Sequence, residues 1–316
     1  MQTRTPSLNE RLQARPCNTG LPNHGVVAFR RRKGWKRLLH AILSDRLFLS
    51  LNHLRKVGRW PRLGRPRTFN EHILRRAVVE RPDLRRHIDK GRARDLVAAT
   101  LGPEFVPARF WLGDSHQLPW GELPDRCIIS ATHGSGMTMV INDMTSLDQR
   151  TAETILEDWL ALDYPEFSSE PIYAGIPPRI LVEENLSDGN GEPPSDYKFY
   201  CFHGTPRFVH VDLHRFSDLR RVVYDMDWQH APFGKTLPNA RIDLPKPPQF
   251  AKMVSLAAKA ARGFPFVRVD LFAVGQERVV FGEWTFLPAS GCGPFIPAAF
   301  DRQLGDLIAG GGGQGA

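Results

Sequence analysis

Apolar and polar residues alternate most regularly over residues 264–293. There Val267, Val269 and Leu271 are interleaved with Arg268 and Asp270, the period of two that a half-buried strand requires. Gly275, Gln276 and Glu277 predict a turn, and Val279, Val280, Phe281, Trp284 and Phe286 predict the returning strand. Further strand patterns lie at 127–129 and 140–141, at 179–186, and at 196–204 with a return at 208–212. Elsewhere the spacing becomes helical. Trp35, Leu38, Leu39, Ile42, Leu43, Leu47, Leu49 and Leu51 form a broad stripe between basic residues and predict an amphipathic helix over 35–54. Thr68 with Glu71 three residues later is a capping-box signature that opens another helix. Helices are also expected from Lys90 to about Thr100, over 147–162, and over 250–262 with Met253, Leu256, Ala257 and Ala260 inward. Stretches rich in proline and glycine at 59–67, 164–178, 189–194 and 238–248 read as connections.

Composition narrows the class. The chain has 316 residues, 41% apolar and 24% charged, which suits a globular protein with a sizeable core and more than one domain. No apolar run is long enough to span a bilayer, and the arginine-rich start does not read as a signal peptide. Cys17, Cys127, Cys201 and Cys292 are scattered without a C-x-x-C pair, so a disulfide framework and a zinc site are disfavoured and a reducing cytoplasm is expected. Charge is uneven: residues 1–100 carry 24 Lys+Arg against 7 Asp+Glu, and the rest 18 against 27. A basic front half fits an anionic membrane surface or an acidic substrate. Peripheral contact of the basic amphipathic helix with the inner face of the membrane is one expectation, and packing of that helix on its own domain is the plainer one; no recognition pattern for nucleic acid accompanies the charge. Residues 1–34, which include Arg30, Arg31, Arg32 and Lys33, read as a disordered basic arm.

Several residues carry candidate chemistry. Asp270 and Glu283 are expected on adjacent antiparallel strands, both at positions where an inward apolar residue would fit. Two carboxylates held together repel unless a cation lies between them, and hard oxygen ligands suit Mg²⁺. Two surface acids flanking buried neighbours are the competing reading. His133, Gly134, Ser135 and Gly136 form a small-residue loop between strands, whose backbone amides can close on phosphate oxygens. A plain hairpin turn is the alternative, and the loop is not a Walker A motif. Lys198 alternates with inward aromatics and so points to one defined face. Asp225 and Asp227 form a D-x-D, the short motif of many metal-dependent glycosyltransferases. His210 and His214 lack a third ligand and predict no metal site.

The R-x-D run, the hairpin and the G-E-x-T-F-x-P run that follows resemble the closing metal-binding hairpin of ATP-grasp enzymes, and more narrowly the TupA-like ATP-grasp family. Pro66-Arg67-Thr68-Phe69-Asn70-Glu71, Asp89-Lys90, the His133 loop and Asp196-Tyr197-Lys198-Phe199 are similar to further family motifs, over about 59–308. The resemblance implies an α+β ATP-grasp fold, in which two subdomains clamp ATP between antiparallel sheets. It implies Asp270, Glu283 and Thr285 as Mg²⁺ ligands and Arg268 and Lys198 as catalytic cations. Lys90, His133, Gly134, Ser135, Gly136 and Lys198 would contact phosphates, and Glu183, Glu184 and Leu186 would form the hinge strand that meets adenine and ribose. The implied activity is ATP- and Mg²⁺-dependent ligation of a carboxylate to an amine through an acyl phosphate. The implied substrates are an amino acid and an acidic glycan or uronic-acid precursor, in teichuronopeptide and other polysaccharide biosynthesis.

On this basis the chain divides into a basic arm at 1–34, a helix and linker at 35–67, and an N-terminal α/β part at 68–125. A lid subdomain at 126–186, a C-terminal subdomain at 187–309 and a flexible tail at 310–316 complete it. Ser130 stands where the family has a strand lysine, and Ala174 where it has another. Losing one charged hydrogen bond costs roughly 1.5–3 kcal/mol, about one to two orders of magnitude in nucleotide affinity. A metal-dependent glycosyltransferase using Asp225 and Asp227, and a non-catalytic binding protein on the same fold, are the alternative readings.

Overall fold

The computed structural model describes residues 25–27, 43–79, 82–168, 170–188, 193–213 and 220–310. The expected arm, apart from 25–27, the first part of the 35–54 helix, His214, most of the 189–194 turn and the tail after Gly310 lie outside the described residues.

Two antiparallel sheets dominate. The smaller runs in the order β1 (Gly25–Val27), β4 (Thr138–Ile141), β3 (Cys127–Ala131), β5 (Ile180–Glu184), β2 (Arg109–Gly113). The larger runs β11 (Arg278–Thr285), β10 (Phe266–Val274), β6 (Ser195–Phe202), β7 (Thr205–Leu213), β8 (Arg220–Asp225). A short pair, β9 (Gly234–Lys235) with β12 (Phe295–Ile296), lies beside it. The helices are α1 (Asp45–Val57), α2 (Phe69–Ala77), α3 (Arg85–Ile88), α4 (Lys90–Thr100), α5 (Gln149–Leu160), α6 (Tyr164–Ser168), α7 (Phe250–Ala260) and α8 (Ala299–Ile308). Each sheet has its own core, one around Ile129, Met139, Leu156 and Val182, the other around Phe199, Val209, Val269 and Phe281. Residues of α2 and α4 join the larger core while β2 pairs with β5, so the stretch 68–125 is shared between the two bodies.

Helix ends follow local chemistry. Ser44 caps α1, and Gly58 stops it at φ 83° where a left-handed residue is needed, three residues beyond the expected end. The capping box forms as its spacing requires. The Glu71 amide donates to Thr68 Oγ1 at 3.3 Å, and the Thr68 amide donates to Glu71 Oε2 at 3.2 Å. Burial would push the Glu71 carboxyl up, but amides of Arg67, Arg62 and Thr68 outweigh it and hold it below the usual range. The rest of this motif is a structural knot. The Phe69 ring stacks edge-on with Phe266 and Phe295, and Asn70 holds the Gly293 carbonyl at 3.0 Å. Buried Lys235 donates to Asn70 Oδ1 at 3.2 Å and lies over the Phe295 ring at 4.2 Å.

The two faces of the larger sheet differ sharply. On one, Val267, Val269, Leu271, Phe199, Cys201 and Val209 pack against α7, whose Met253, Leu256 and Ala257 are buried as the periodicity predicted. Trp284 Nε1 donates to the Ala260 carbonyl at 3.0 Å and pins the hairpin to the end of that helix. The opposite face is charged, and it builds the site.

Candidate functional site

Register brings the site together. In β10 and β11 Asp270 pairs directly with Glu283 and Arg268 with Thr285, so all four side chains share one face. On the other flank Asp270 pairs with Lys198 and Arg268 with Tyr200; Lys198 in turn pairs with His210. Asp196 and Asp212 extend the same rows, and Arg221 faces Asp212 from β8. A β-bulge makes this possible. Asp270 pairs with Glu283 but Leu271 pairs with Phe281, which leaves Gly282 as the extra residue. Counting by twos from Phe281 would place Glu283 on the apolar face, as the alternation suggested. The bulge instead turns it to the charged face, where 55% of its side chain is exposed while Asp270 is 3% exposed.

The charges are held tightly. Arg268 grips Asp270 through Nε–Oδ1 at 2.7 Å and Nη2–Oδ2 at 2.5 Å, and also donates to Thr285 Oγ1 at 2.9 Å. Its Nη2 lies 3.6 Å from Glu283 Oε1, and the Thr285 hydroxyl donates to that oxygen at 3.2 Å. Burial pushes the Asp270 carboxyl up, against the pull of Arg268. Lys198 pairs with Asp196 and lies 3.5 Å from Asp212, which Arg221 binds with both oxygens at 2.6 and 3.1 Å. His210 is buried among Arg221, Arg268, Lys235 and Lys198; desolvation first, and then those cations, hold its pKa well below the usual value.

The small-residue loop belongs to the other sheet, between β3 and β4. The Lys90 amide donates to the Thr132 carbonyl at 3.3 Å, which sets the start of α4 beside the loop. Ser135 and Gly136 form an exposed tip, and Gly136 takes φ 76°. Gly134 is packed so closely that a Cβ there would meet the Tyr164 ring at 2.4 Å. His133 is buried, with Nε2 3.1 Å from the Trp159 carbonyl, so its ring anchors the loop to α5 and its imidazole is turned away from solvent. The negative charge of Glu283 acts on Lys90, Arg94, Tyr164 and Tyr173, and so on the start of α4 and the rings packed near the loop. Burial pulls Lys90 down to about 8, partly offset by Glu283 and Glu183. Ser130, 3% exposed on β3, contributes no cation.

Glu183 and Glu184 are taken up by arginines from the other half. Arg94 on α4 meets Glu183 at 2.9 and 3.0 Å and donates to the carbonyls of Phe281 at 3.2 Å and Gly282 at 2.5 Å. Arg278 binds Glu184 at 2.6 and 2.8 Å. Leu186 follows the strand, half-buried. The stretch around 183–186 thus joins the two bodies, but through its carboxylates rather than with those groups free for a nucleotide. Sequence reasoning missed Arg94, whose only local signal is its place one helical turn after Lys90. It also missed Asp212 and Arg221, which alternate with apolar residues along their strands as Lys198 does.

Asp225 of the D-x-D is engaged locally: its Oδ1 accepts the amides of Asp227 at 3.0 Å and Gln229 at 2.8 Å and so caps the turn after β8. Among the described residues no group of three or more His, Cys, Asp or Glu could hold a metal. Two carboxylates and a hydroxyl on one face nevertheless fit Mg²⁺, which takes one or two protein carboxylates and completes its shell with water and phosphate oxygens. A separate concavity of about 480 Å³ beside α3 and the start of α4 is lined by Arg85, Arg86 and Arg92 together with Asp83 and Asp89.

The model of a protein family described as TupA-like ATPgrasp matches residues 71–309. No curated protein matches the chain. Among solved structures, the ATP-grasp ligase PsnB complexed with minimal precursor shares 11% identity over 66% of this chain and 55% of its own, with a TM-score of 0.39. A D-alanine–D-alanine ligase from Bacillus anthracis complexed with ATP shares 16% over 71% of this chain and 65% of its own, at 0.43. The ADP complex of PurK, N5-carboxyaminoimidazole ribonucleotide synthetase, shares 12% over 64% and 45%, at 0.39. The chain spans little more than half the length of the PsnB structures that head this group.

Proposed function

The chain belongs to the TupA-like ATP-grasp family, and from that premise we propose that it is an ATP- and Mg²⁺-dependent ligase joining a carboxylate to an amine. The observation that carries the reading is the direct pairing of Asp270 with Glu283, on a face that also presents Arg268 and Lys198. Asp270 and Glu283 would hold Mg²⁺, with Thr285 beside them. Bound there, Mg²⁺ supplies charge neutralisation for a triphosphate. Arg268 and Lys198 orient and neutralise the oxygens of the phosphoryl group in transfer, and Lys90 with the loop amides holds the distal phosphates. In this reading the substrate carboxylate takes the γ-phosphoryl group to give an acyl phosphate and ADP, and the amine then displaces phosphate. No side-chain nucleophile is needed, and the chain's cations need only hold charge and exclude water.

We place the reaction in cytoplasmic synthesis or modification of a cell-surface polysaccharide such as teichuronopeptide, with an amino acid and an acidic glycan or uronic-acid precursor as substrates. Arg86, exposed on the rim of the arginine-lined concavity, favours an acidic acceptor. A binding protein without turnover is the second reading, favoured by Ser130 in place of a cation. Thermal unfolding with ATP, with and without Mg²⁺, tests binding. Stabilisation that needs Mg²⁺ and is lost in Glu283→Gln but kept in Asp227→Ala is expected; stabilisation by a sugar nucleotide instead, lost in Asp227→Ala and untouched by Glu283→Ala, would restore the glycosyltransferase reading. Hydroxylamine trapping of the activated carboxylate, with uronic acids as probes, then separates a ligase from a binding protein.

A further inference from the structure

Among the described residues, seven large apolar side chains are exposed, and four of them fall within one short segment: Leu47, Leu51, Leu54 and Trp60. Leu47, Leu51 and Leu54 are spaced four and three apart, so they form one stripe along α1, at 39%, 42% and 40% exposure. Trp60, just past the helix, is 52% exposed. The helix is fixed by its other side, where Leu49, Ser50 and His53 are buried and His53 Nδ1 meets the Gly291 carbonyl at 2.8 Å. The stripe is therefore not the face that packs this helix onto its own core. Around it Arg46, Arg55, Lys56, Arg59, Arg62, Arg65 and Arg67 are all exposed; Arg59 pairs with Asp301, and Asp45 is the one acid within the segment itself.

We infer that this face docks the protein on an anionic lipid bilayer, with the leucines and Trp60 at the boundary between headgroups and acyl chains and the basic residues on lipid phosphates. Leucine with tryptophan on one face and arginine and lysine around it is the make-up of a helix that lies in the membrane interface. Charge argues against a second copy as the occupant. A two-fold contact would set the same basic patch against itself, and like charges would face each other across it. No helix among the described residues is long and apolar enough to cross a membrane, so the contact is peripheral. The inference stands apart from the ligase reading and does not need ATP.

The test is co-sedimentation of the full chain with vesicles of phosphatidylcholine alone or with about one third phosphatidylglycerol. Binding is expected only to the anionic vesicles and should weaken with salt. Leu51→Glu with Trp60→Ala should lower the partition coefficient at least ten-fold. Lys56→Glu with Arg62→Glu should remove the preference for anionic lipid. All four positions are exposed, so unchanged thermal unfolding of the variants certifies their folds. The inference is overturned if the full chain ignores anionic vesicles, or if the apolar variant binds as well as the native protein. A dimer in sedimentation equilibrium that Leu51→Glu disperses would also overturn it, by giving the face to a second copy.

Discussion

Arg94→Met removes the cation that joins the two bodies, and its cost can be worked from the contacts. Arg94 makes a two-point ion pair with Glu183, with side-chain exposures of 11% and 10%, and donates to two carbonyls at the hairpin bulge. Breaking a buried pair by deleting one partner costs about 3–5 kcal/mol, because the remaining charge is left without compensation. A loss of about 4 kcal/mol is therefore expected, a fall in the melting midpoint of roughly 10 °C at a few degrees per kcal/mol. Glu183→Gln in the same background should recover much of it, giving a coupling of at least about 2 kcal/mol in a double-mutant cycle. Urea unfolding of the four proteins measures this. A coupling under about 0.5 kcal/mol would refute the argument that the pair is a buried electrostatic joint.

The buried lysine Lys235 has its pKa lowered to about 7, by burial first, so the unfolded chain holds a proton there that the folded one releases. Stability should therefore rise as pH climbs from about 7 toward 10.5, by on the order of 4 kcal/mol relative to Lys235→Met, which lacks that slope; equal slopes in denaturant titrations would refute this. Lys90, pulled down to about 8, should lose its charge above that pH, so affinity for Mg²⁺-ATP should fall from pH 7.5 to 9 and hold steady in Lys90→Arg, as calorimetry can follow. Ser130→Lys should raise ATP affinity about ten- to a hundred-fold by restoring one charged contact; unchanged affinity would mean that Lys90 already does this work. Gly282→Ala should cost about 1–3 kcal/mol, since its Cβ would lie 3.1 Å from the Asp270 carbonyl oxygen. It should also weaken the thermal response to Mg²⁺-ATP although no ligand atom has changed.

What the sequence made legible was local. A turn of known length between alternating runs sets the register of β10 on β11 as far as Leu271 and Phe281, but the opposition of Asp270 and Glu283 needs the extra residue at Gly282, which the turn does not signal. Thr68 and Glu71 announce a cap whose two hydrogen bonds both form. The alternation along β6 places Lys198 on a defined face. What stayed hidden depends on pairings between distant parts of the chain. Arg94 and Glu183 are 89 residues apart, and nothing near either one signals the other. The two hinge glutamates read as free ligands because their arginines come from α4 and from the far side of the hairpin turn. His133 reads as a phosphate contact from its loop, but the loop closes over it and buries its ring against α5. The TupA-like motif at 66–71 looked like a mark without chemistry, and it is the knot that fastens Lys235 and the chain near Gly293.

One irregularity ties the site to the joint between the bodies. At Gly282 the strand carries an extra residue, and three consequences follow from that single step. Glu283 turns to the charged face opposite Asp270. The carbonyls of Phe281 and Gly282 both reach Arg94, which no regular ladder would permit because successive carbonyls point to opposite sides. Through Arg94 the same backbone is bound to Glu183 on the strand that leaves the smaller sheet. A shift of that strand relative to the hairpin must therefore stretch bonds to the two residues that precede Glu283. The face that Glu283 takes and the joint to the smaller sheet are set by the same few atoms, so under the proposed function a substitution at the joint should alter Mg²⁺-dependent binding without touching Asp270, Glu283 or Thr285.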